Sequence, residues 1–443
     1  MSPSATTRSS AGLWPQDKPI ALANSSFVPT RHGHPAPGTV PDDIVPEGEK
    51  KPKLFEQAKL PHSDLVLKNR AVVSPMCQYS ARNGVPTPYH LAHLGQFALH
   101  GAGTIMVEAS GVTSAGRITP QDLGIWSDEQ IAAHASLVTS LKSFTEGLTM
   151  GVQLAHAGRK ASTWSPFYRG DRKSPHYVSD AEGGWEKDTV GPSPIPYGEG
   201  WITPRELTTK ELQDIIQSFV VAARRAFNEC GYDFIEIHSA HGYLLDSLNS
   251  PLSNKRTDQY GGSFENRTRA LREIISQIKK EFPHKSVWLR IGSTNFAEHV
   301  EDPSWGIEDT KRLAQELGEA GEVDVIDCSA GGLVPFQKIN PRPGYQVPFA
   351  EGVSSLGIAK SKLLVGSVGM LEGPDVHQPG HLAEEVLQKG QADLIFLARG
   401  FLANPSWVED SATQLMGTRC AGNPQYHRVH PAKRPPPRAQ NHN

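Results

Sequence analysis

Thr208–Glu229, TTKELQDIIQSFVVAARRAFNE, followed by Phe234–His238, FIEIH, decides how this 443-residue chain is read. In the first segment Leu212, Ile215, Ile216, Phe219 and Val220 recur every three to four residues, which lines one face of an α-helix. Thr208 with Glu211 three residues on is a capping-box start, and Gly231 supplies a stop. The second segment is a short β-branched run, the pattern of a strand. A helix feeding such a strand is one unit of an α/β fold.

Similar runs lie on both sides. Arg70–Ser74, Thr104–Ala109 and Gly151–His156 precede it, and Val287–Ile291, Val323–Cys328, Leu363–Val368 and Leu394–Arg399 follow. Several are near-continuously apolar, as strands buried on both faces are. Helical patterns at Phe264–Lys280, Gly306–Ala320 and His381–Lys389 fall between them. Eight strands alternating with helices predict a single (β/α)8 barrel over residues 51–420, with an open doubly wound sheet as the alternative. About 75 residues separate the third strand from the fourth, and residues 157–206 have loop composition. So long a connection predicts capping loops over the face where barrel active sites are built.

The ends differ in character. Residues 1–50 have no sustained apolar period and are expected to form a loose extension. Residues 421–443, basic and proline-rich, are expected to be a tail. A formal net charge of −3 argues against a protein built mainly to coat nucleic acid or an anionic membrane. No apolar run is long enough to span a bilayer. Cys77, Cys230, Cys328 and Cys420 are too scattered for a cluster or a disulfide framework, which fits a reducing, cytoplasmic location.

On a barrel, chemistry sits where strands end. The first strand ends in Ser74-Pro75-Met76-Cys77-Gln78-Tyr79, the third carries Gln153, the fifth Arg290, and the eighth ends at Ala398-Arg399. After the fourth comes His238-Ser-Ala-His241-Gly-Tyr243. Its two imidazoles suit a metal, or an oxygen anion with Tyr243 as proton donor, or a hydrogen-bonded structural pair. Arg290 inside an apolar strand needs either a salt bridge or a cofactor contact. Gly366–Gly369 with Arg399 has the composition of a barrel phosphate site. No dinucleotide fingerprint or Walker sequence is present.

Together these motifs resemble the old yellow enzyme family. The resemblance is carried by Ser74–Tyr79, Glu108-Ala-Ser110, Gln153-Leu-Ala-His-Ala-Gly-Arg-Lys160, Ile235–Tyr243, Ser250-Pro-Leu-Ser-Asn254 and Arg256-Thr-Asp-Gln-Tyr-Gly-Gly-Ser263. The cysteine in the first motif is similar to the thermophilic-like subclass. The resemblance implies a TIM barrel that binds FMN, takes hydride from NADPH or NADH, and reduces a small-molecule activated alkene. It implies flavin contacts at Ser74, Pro75, Met76, Cys77, Ala109, Gln153 and Arg290, and phosphate contacts at Gly369, Ala398 and Arg399. His238 and His241 would hold the substrate oxygen, Tyr79 would orient the substrate, Tyr243 would protonate it, and no metal is required. Flavin-dependent oxidation or double-bond isomerisation is the alternative activity. A homo-oligomer is allowed for, with Arg428 as a residue that reaches a neighbour's site. Leu371–Gly380 departs from the family pattern as an insertion.

Overall fold

The structure, a computed structural model, describes residues 35–168, 175–373, 378–426 and 428. Eight parallel strands close into a barrel in chain order: β1 (Ala71–Val73), β2 (Thr104–Gly111), β3 (Thr149–Ala155), β4 (Phe234–Ser239), β5 (Ser286–Gly292), β6 (Val325–Ser329), β7 (Leu364–Val368) and β8 (Leu394–Leu397). Closure is set by β8 pairing with β1, Ile395 opposite Ala71 and Leu397 opposite Val73. All eight expected runs are strands, and the open-sheet alternative is excluded.

Helices α1 (Pro88–Leu99), α2 (Asp128–Phe144), α3 (Thr209–Arg224), α4 (Phe264–Glu281), α5 (Ile307–Ala320), α6 (Val347–Ser354), α7 (His381–Gln388) and α8 (Trp407–Met416) surround the barrel. The start of α3 is the expected box: Glu211 N–H donates to Thr208 Oγ1, and Thr208 N–H donates to Glu211 Oε2. Its end is not a simple stop. After Arg224 the chain widens into a π-helical turn, Arg225–Cys230, before Gly231 at φ +79° ends it.

Outward-facing strand residues such as Ile235, Ile237, Leu289 and Ile291 join Leu212, Ile216 and Phe219 in one apolar shell. Each such fully buried side chain contributes about 1.5–3 kcal/mol. Inside, the barrel is layered. Its N-terminal end is filled by Phe234, Trp288 and Phe396, with Phe234 and Trp288 stacked 4.0 Å apart. Gly151 and Gly366 make room for these rings: a Cβ would meet Phe234 at 2.2 Å and Phe396 at 2.4 Å. A two-stranded ladder, Ala58–Lys59 with Val66–Leu67, contributes Ala58 and Leu67 to the same plug, together with Leu60 just after it. Along β4, β5 and β6 the interior then turns polar at Glu236, Arg290 and Asp327. Polar interior residues therefore lie toward the C-terminal end.

Two boundary expectations change. Residues 35–50 are not a loose arm. Gly38 lies against Gly101, its N–H donates to Ala421 O at 2.7 Å, and Asn69 Nδ2 donates to Gly38 O; Val40 is buried. Burial of Val40 and satisfied backbone bonds hold a segment that lacks periodicity of its own. The tail boundary moves similarly, since Ala421 N–H donates to Thr39 O and Tyr426 stacks on His100. Residues 1–34 and part of the expected Leu371–Gly380 insertion lie outside the described residues. No helix among the described residues is long and apolar enough to cross a membrane.

The connection after β3 has structure. Trp185 is buried and its indole N–H donates to Ala115 O, while Val190–Gly191 pairs with Arg205–Glu206.

Candidate active site

The sequence-selected strand-end residues gather at the C-terminal end of the barrel. Ser74 leaves β1 with its N–H bonded to Leu397 O of β8. The next residues form a strap. Gln78 N–H donates to Glu108 Oε1 at 3.1 Å, and the Gln78 side chain bridges Met76 O and Tyr89 OH. Tyr79 adopts φ +53° and meets Phe167 edge-on at 5.8 Å. Cys77 is half-buried. Burial, with Asp122 and Glu108 nearby, holds its thiol well above the ordinary value.

His238, His241 and Tyr243 form the centre. The ring of His238 lies 5.1 Å from that of His241 and 5.1 Å from that of Tyr243, edge-on to both. His241 sits at φ +62°, a costly conformation for a residue with a side chain. Lys160 stabilises it: its ammonium donates to His241 O at 2.8 Å and Gly332 O at 3.0 Å. Next in the turn, Gly242 at φ +76° donates its N–H to Asp246 Oδ2; a Cβ there would meet Gly332 O at 2.3 Å. His241 Nε2 also bonds Ser329 Oγ at 2.8 Å.

Burial lowers the imidazole of His238 well below its ordinary value and that of His241 to about 3, with Arg290 and Lys160 adding to the effect. Both are neutral at neutral pH and act as single N–H donors rather than cations. Burial raises the Tyr243 phenol, so it keeps its proton. Lys160 lies over the rings of both Tyr243 and Tyr197, and burial lowers its ammonium to about 8. Arg159 donates to Ile195 O, Pro196 O and Leu333 O, so the capping segment is tied to the loop after β6 beside the histidines.

Below them, Arg290 Nε donates to Asp327 Oδ2, and Glu236 lies 3.7 Å away. The salt-bridge reading of Arg290 is therefore realised. Gln153 Nε2 donates to Glu236 Oε1 at 2.7 Å, joining β3 to the same network. Ala109 lies in a register irregularity of β2 between Val107 and Ser110. Gly369 follows β7 at φ +119°, where a Cβ would meet Gln346 Nε2 at 2.8 Å. Ala398 precedes the short helix Arg399–Ala403, and Arg399 is exposed.

Arg428 is not gathered with these residues. It is exposed, two positions beyond Tyr426, which stacks on His100 between α1 and β2 at the other end of the barrel. Sequence reasoning missed Lys160, Ser329, Glu236 and Asp327 as site residues. Lys160 stood in a quoted motif, but nothing in that motif showed that its ammonium would cross to the β4 turn. Among the described residues, no group of three His, Cys, Asp or Glu side chains is arranged to hold a metal ion.

Residues 53–417 match the NADH:flavin oxidoreductase / NADH oxidase family. An NADPH dehydrogenase of Bacillus subtilis (strain 168) is 42% identical over 378 residues, covering 85% of this chain and 98% of that protein. A morphinone reductase in complex with tetrahydroNAD shares the fold at a TM-score of 0.62 and 24% identity, covering 85% of this chain and 94% of its own. The old yellow enzyme from Trypanosoma cruzi shares it at a TM-score of 0.64 and 23% identity, covering 81% and 91%.

Proposed function

Since the chain belongs to the NADH:flavin oxidoreductase / NADH oxidase family, an FMN-dependent oxidoreductase family of old yellow enzyme type, we propose that it reduces activated C=C bonds of α,β-unsaturated carbonyl or nitro compounds. The observation that carries this reading is the His238–His241–Tyr243 cluster: two neutral imidazoles and one protonated phenol, edge to edge at one end of the barrel.

The residues fit a flavin mononucleotide. Ser74 Oγ, Ser367 Oγ and Gln346 Oε1 are buried polar atoms without a protein partner, the sort that a bound polar group satisfies. Gly369, at φ +119° and packed against Gln346, holds a turn after β7 that a side chain would strain. Ser74, Pro75, Met76, Cys77, Ala109, Gln153 and Arg290 would hold the ring system, and Gly369, Ala398 and Arg399 the phosphate. Bound there, FMN supplies hydride chemistry that amino-acid side chains lack.

The chain's own residues do the rest. His238 and His241 hold the carbonyl or nitro oxygen with N–H donors, which draws electron density from the β-carbon. His238 Nδ1 is buried without a protein partner. Lys160 and Ser329 hold His241 in place. Tyr243 retains a proton for the α-carbon, and Tyr79 orients the substrate.

Purified protein is expected to be yellow and to bleach anaerobically on adding NADPH or NADH. A colourless protein that takes up no added FMN overturns the reading. Product analysis with and without NAD(P)H then separates alkene reduction from oxidation or isomerisation, since only reduction consumes the nucleotide. His238→Ala is expected to weaken the binding of a simple phenol, whose oxygen mimics that of the substrate, by about tenfold or more. Phenol affinity equal to wild type, read from the flavin spectrum, removes His238 from oxygen binding.

A further inference from the structure

The irregularity in β2 lies where the strap after β1 crosses it. Pairing with β3 runs in register from Thr104 to Val107, slips, and resumes at Ser110 opposite Leu154. Of the two residues in the slip, Glu108 acts on the strap: its carboxylate accepts the N–H of Gln78, the residue after Cys77, at 3.1 Å. A bulge beside an active site re-aims side chains in this way.

Glu108 is itself 4% exposed. From α1, His90 Nε2 lies 3.8 Å from Glu108 Oε2. His90 Nδ1 accepts from Thr87 N–H, so the ring is a neutral Nε2–H tautomer, and burial lowers its basicity. From the loop before α2, Asp122 faces the same region with Arg117 beside it; its three bonds from Ile118 and Thr119 fix it in place. Tyr79 on the strap and Tyr232 before β4 complete the surroundings, and burial keeps both phenols protonated.

We propose that Glu108 is a positioning residue for the Cys77 thiol: through the β2 irregularity it holds the Cys77–Tyr79 strap, and its charge governs how readily that thiol ionises. The inference stands on the chain's own geometry and is tested without alkene turnover. Burial raises the Glu108 carboxyl to about 8, with the Gln78 N–H opposing, and Asp122 to about 6. Above pH 7 Asp122 is a constant charge, while Glu108 gains its charge through pH 8. That new charge opposes a second negative charge on Cys77. The other three thiols, Cys230, Cys328 and Cys420, are buried and raised by burial, so they do not compete for a reagent.

The test is the rate of alkylation of Cys77 by iodoacetamide between pH 7 and 9.5 in the FMN-loaded protein, with the modified residue identified by peptide mass. Glu108→Gln keeps an oxygen acceptor for the Gln78 N–H and removes the charge. The variant is expected to react at the wild-type rate at pH 7 and about three- to tenfold faster at pH 9.5, since one pKa unit is tenfold in thiolate. The wild-type rate should flatten near pH 8, whereas the variant rises smoothly. A ratio independent of pH overturns the proposal. So does a wild-type profile that rises with unit slope straight through pH 8, which needs no variant to measure. A Cys77 that stays unmodified in both proteins at every pH overturns it as well, because the charge then governs nothing.

Discussion

Tyr243→Phe is expected to slow alkene reduction by about 100-fold or more, the usual contribution of a positioned acid, while reduction of the flavin by NADPH stays within a few-fold of wild type. Phe keeps the ring, so the edge-on contact with His238 at 5.1 Å and the face presented to Lys160 both remain. Only the hydroxyl is lost. Burial raises that phenol, so at working pH it is a proton reservoir rather than a phenolate. The Lys160 ammonium over its face offsets the charge left when the proton goes. Anaerobic stopped-flow separates the two halves of the cycle. Equal slowing of both halves would mean that Tyr243 shapes the pocket and does not donate the proton.

Arg290→Met is expected to cost about 3–5 kcal/mol of folding stability, the typical result of removing one partner from a buried ion pair. Arg290 is buried in the barrel interior between Asp327 and Glu236, and its guanidinium bonds the first directly. Without it two buried carboxyls face each other with no cation. Burial already raises Glu236 to about 8 and Asp327 above its ordinary value, each opposed by Arg290. Removing that opposition raises both further. The folded variant then binds more protons than the unfolded chain above the ordinary carboxyl range, so its stability falls as pH rises through that window. The deficit against wild type should therefore be larger at pH 8 than at pH 5, as read from Tm at each pH. Adding Asp327→Asn should recover part of the loss. A deficit that does not vary with pH would show that packing, not charge, is what Arg290 supplies.

Much of the fold was legible because barrel strands are covered on both faces. Burial on both sides selects β-branched apolar runs, and all eight stand out from their surroundings. The start of α3 was legible for a local reason as well, since Thr208 and Glu211 satisfy each other's backbone donors three residues apart. Its end was not. An apolar period through Arg225–Cys230 reads alike for an α-helix and for a π-helical turn. Residues 35–50 were misread because their order comes from Gly101, Asn69 and Ala421, far away in the chain, and not from any period of their own.

The site divides in the same way. That Ser74, Gln153, His238 and Arg290 would share one end of a barrel followed from where they stand on their strands: a parallel barrel places every strand end of one kind on one face. Arg428 stands on no strand, and Tyr426 two positions before it stacks on His100 at the other end of the barrel. Arg290 had two readings in sequence, and Asp327 on the next strand of the barrel supplies the salt bridge of the first.

By itself, the order of residues determined eight buried strands alternating with helices, the long connection after the third and the chemical kinds of group at the strand ends, because periodicity and strand ends are local properties; closure into a barrel came from β8 pairing with β1. Only the tertiary structure decided that Lys160 clamps the left-handed turn at His241, that Glu108 holds the Cys77 strap, and that the two histidines are neutral. Each of these depends on how far a side chain lies from water and from charges brought close by barrel closure, and neither distance is written in sequence separation.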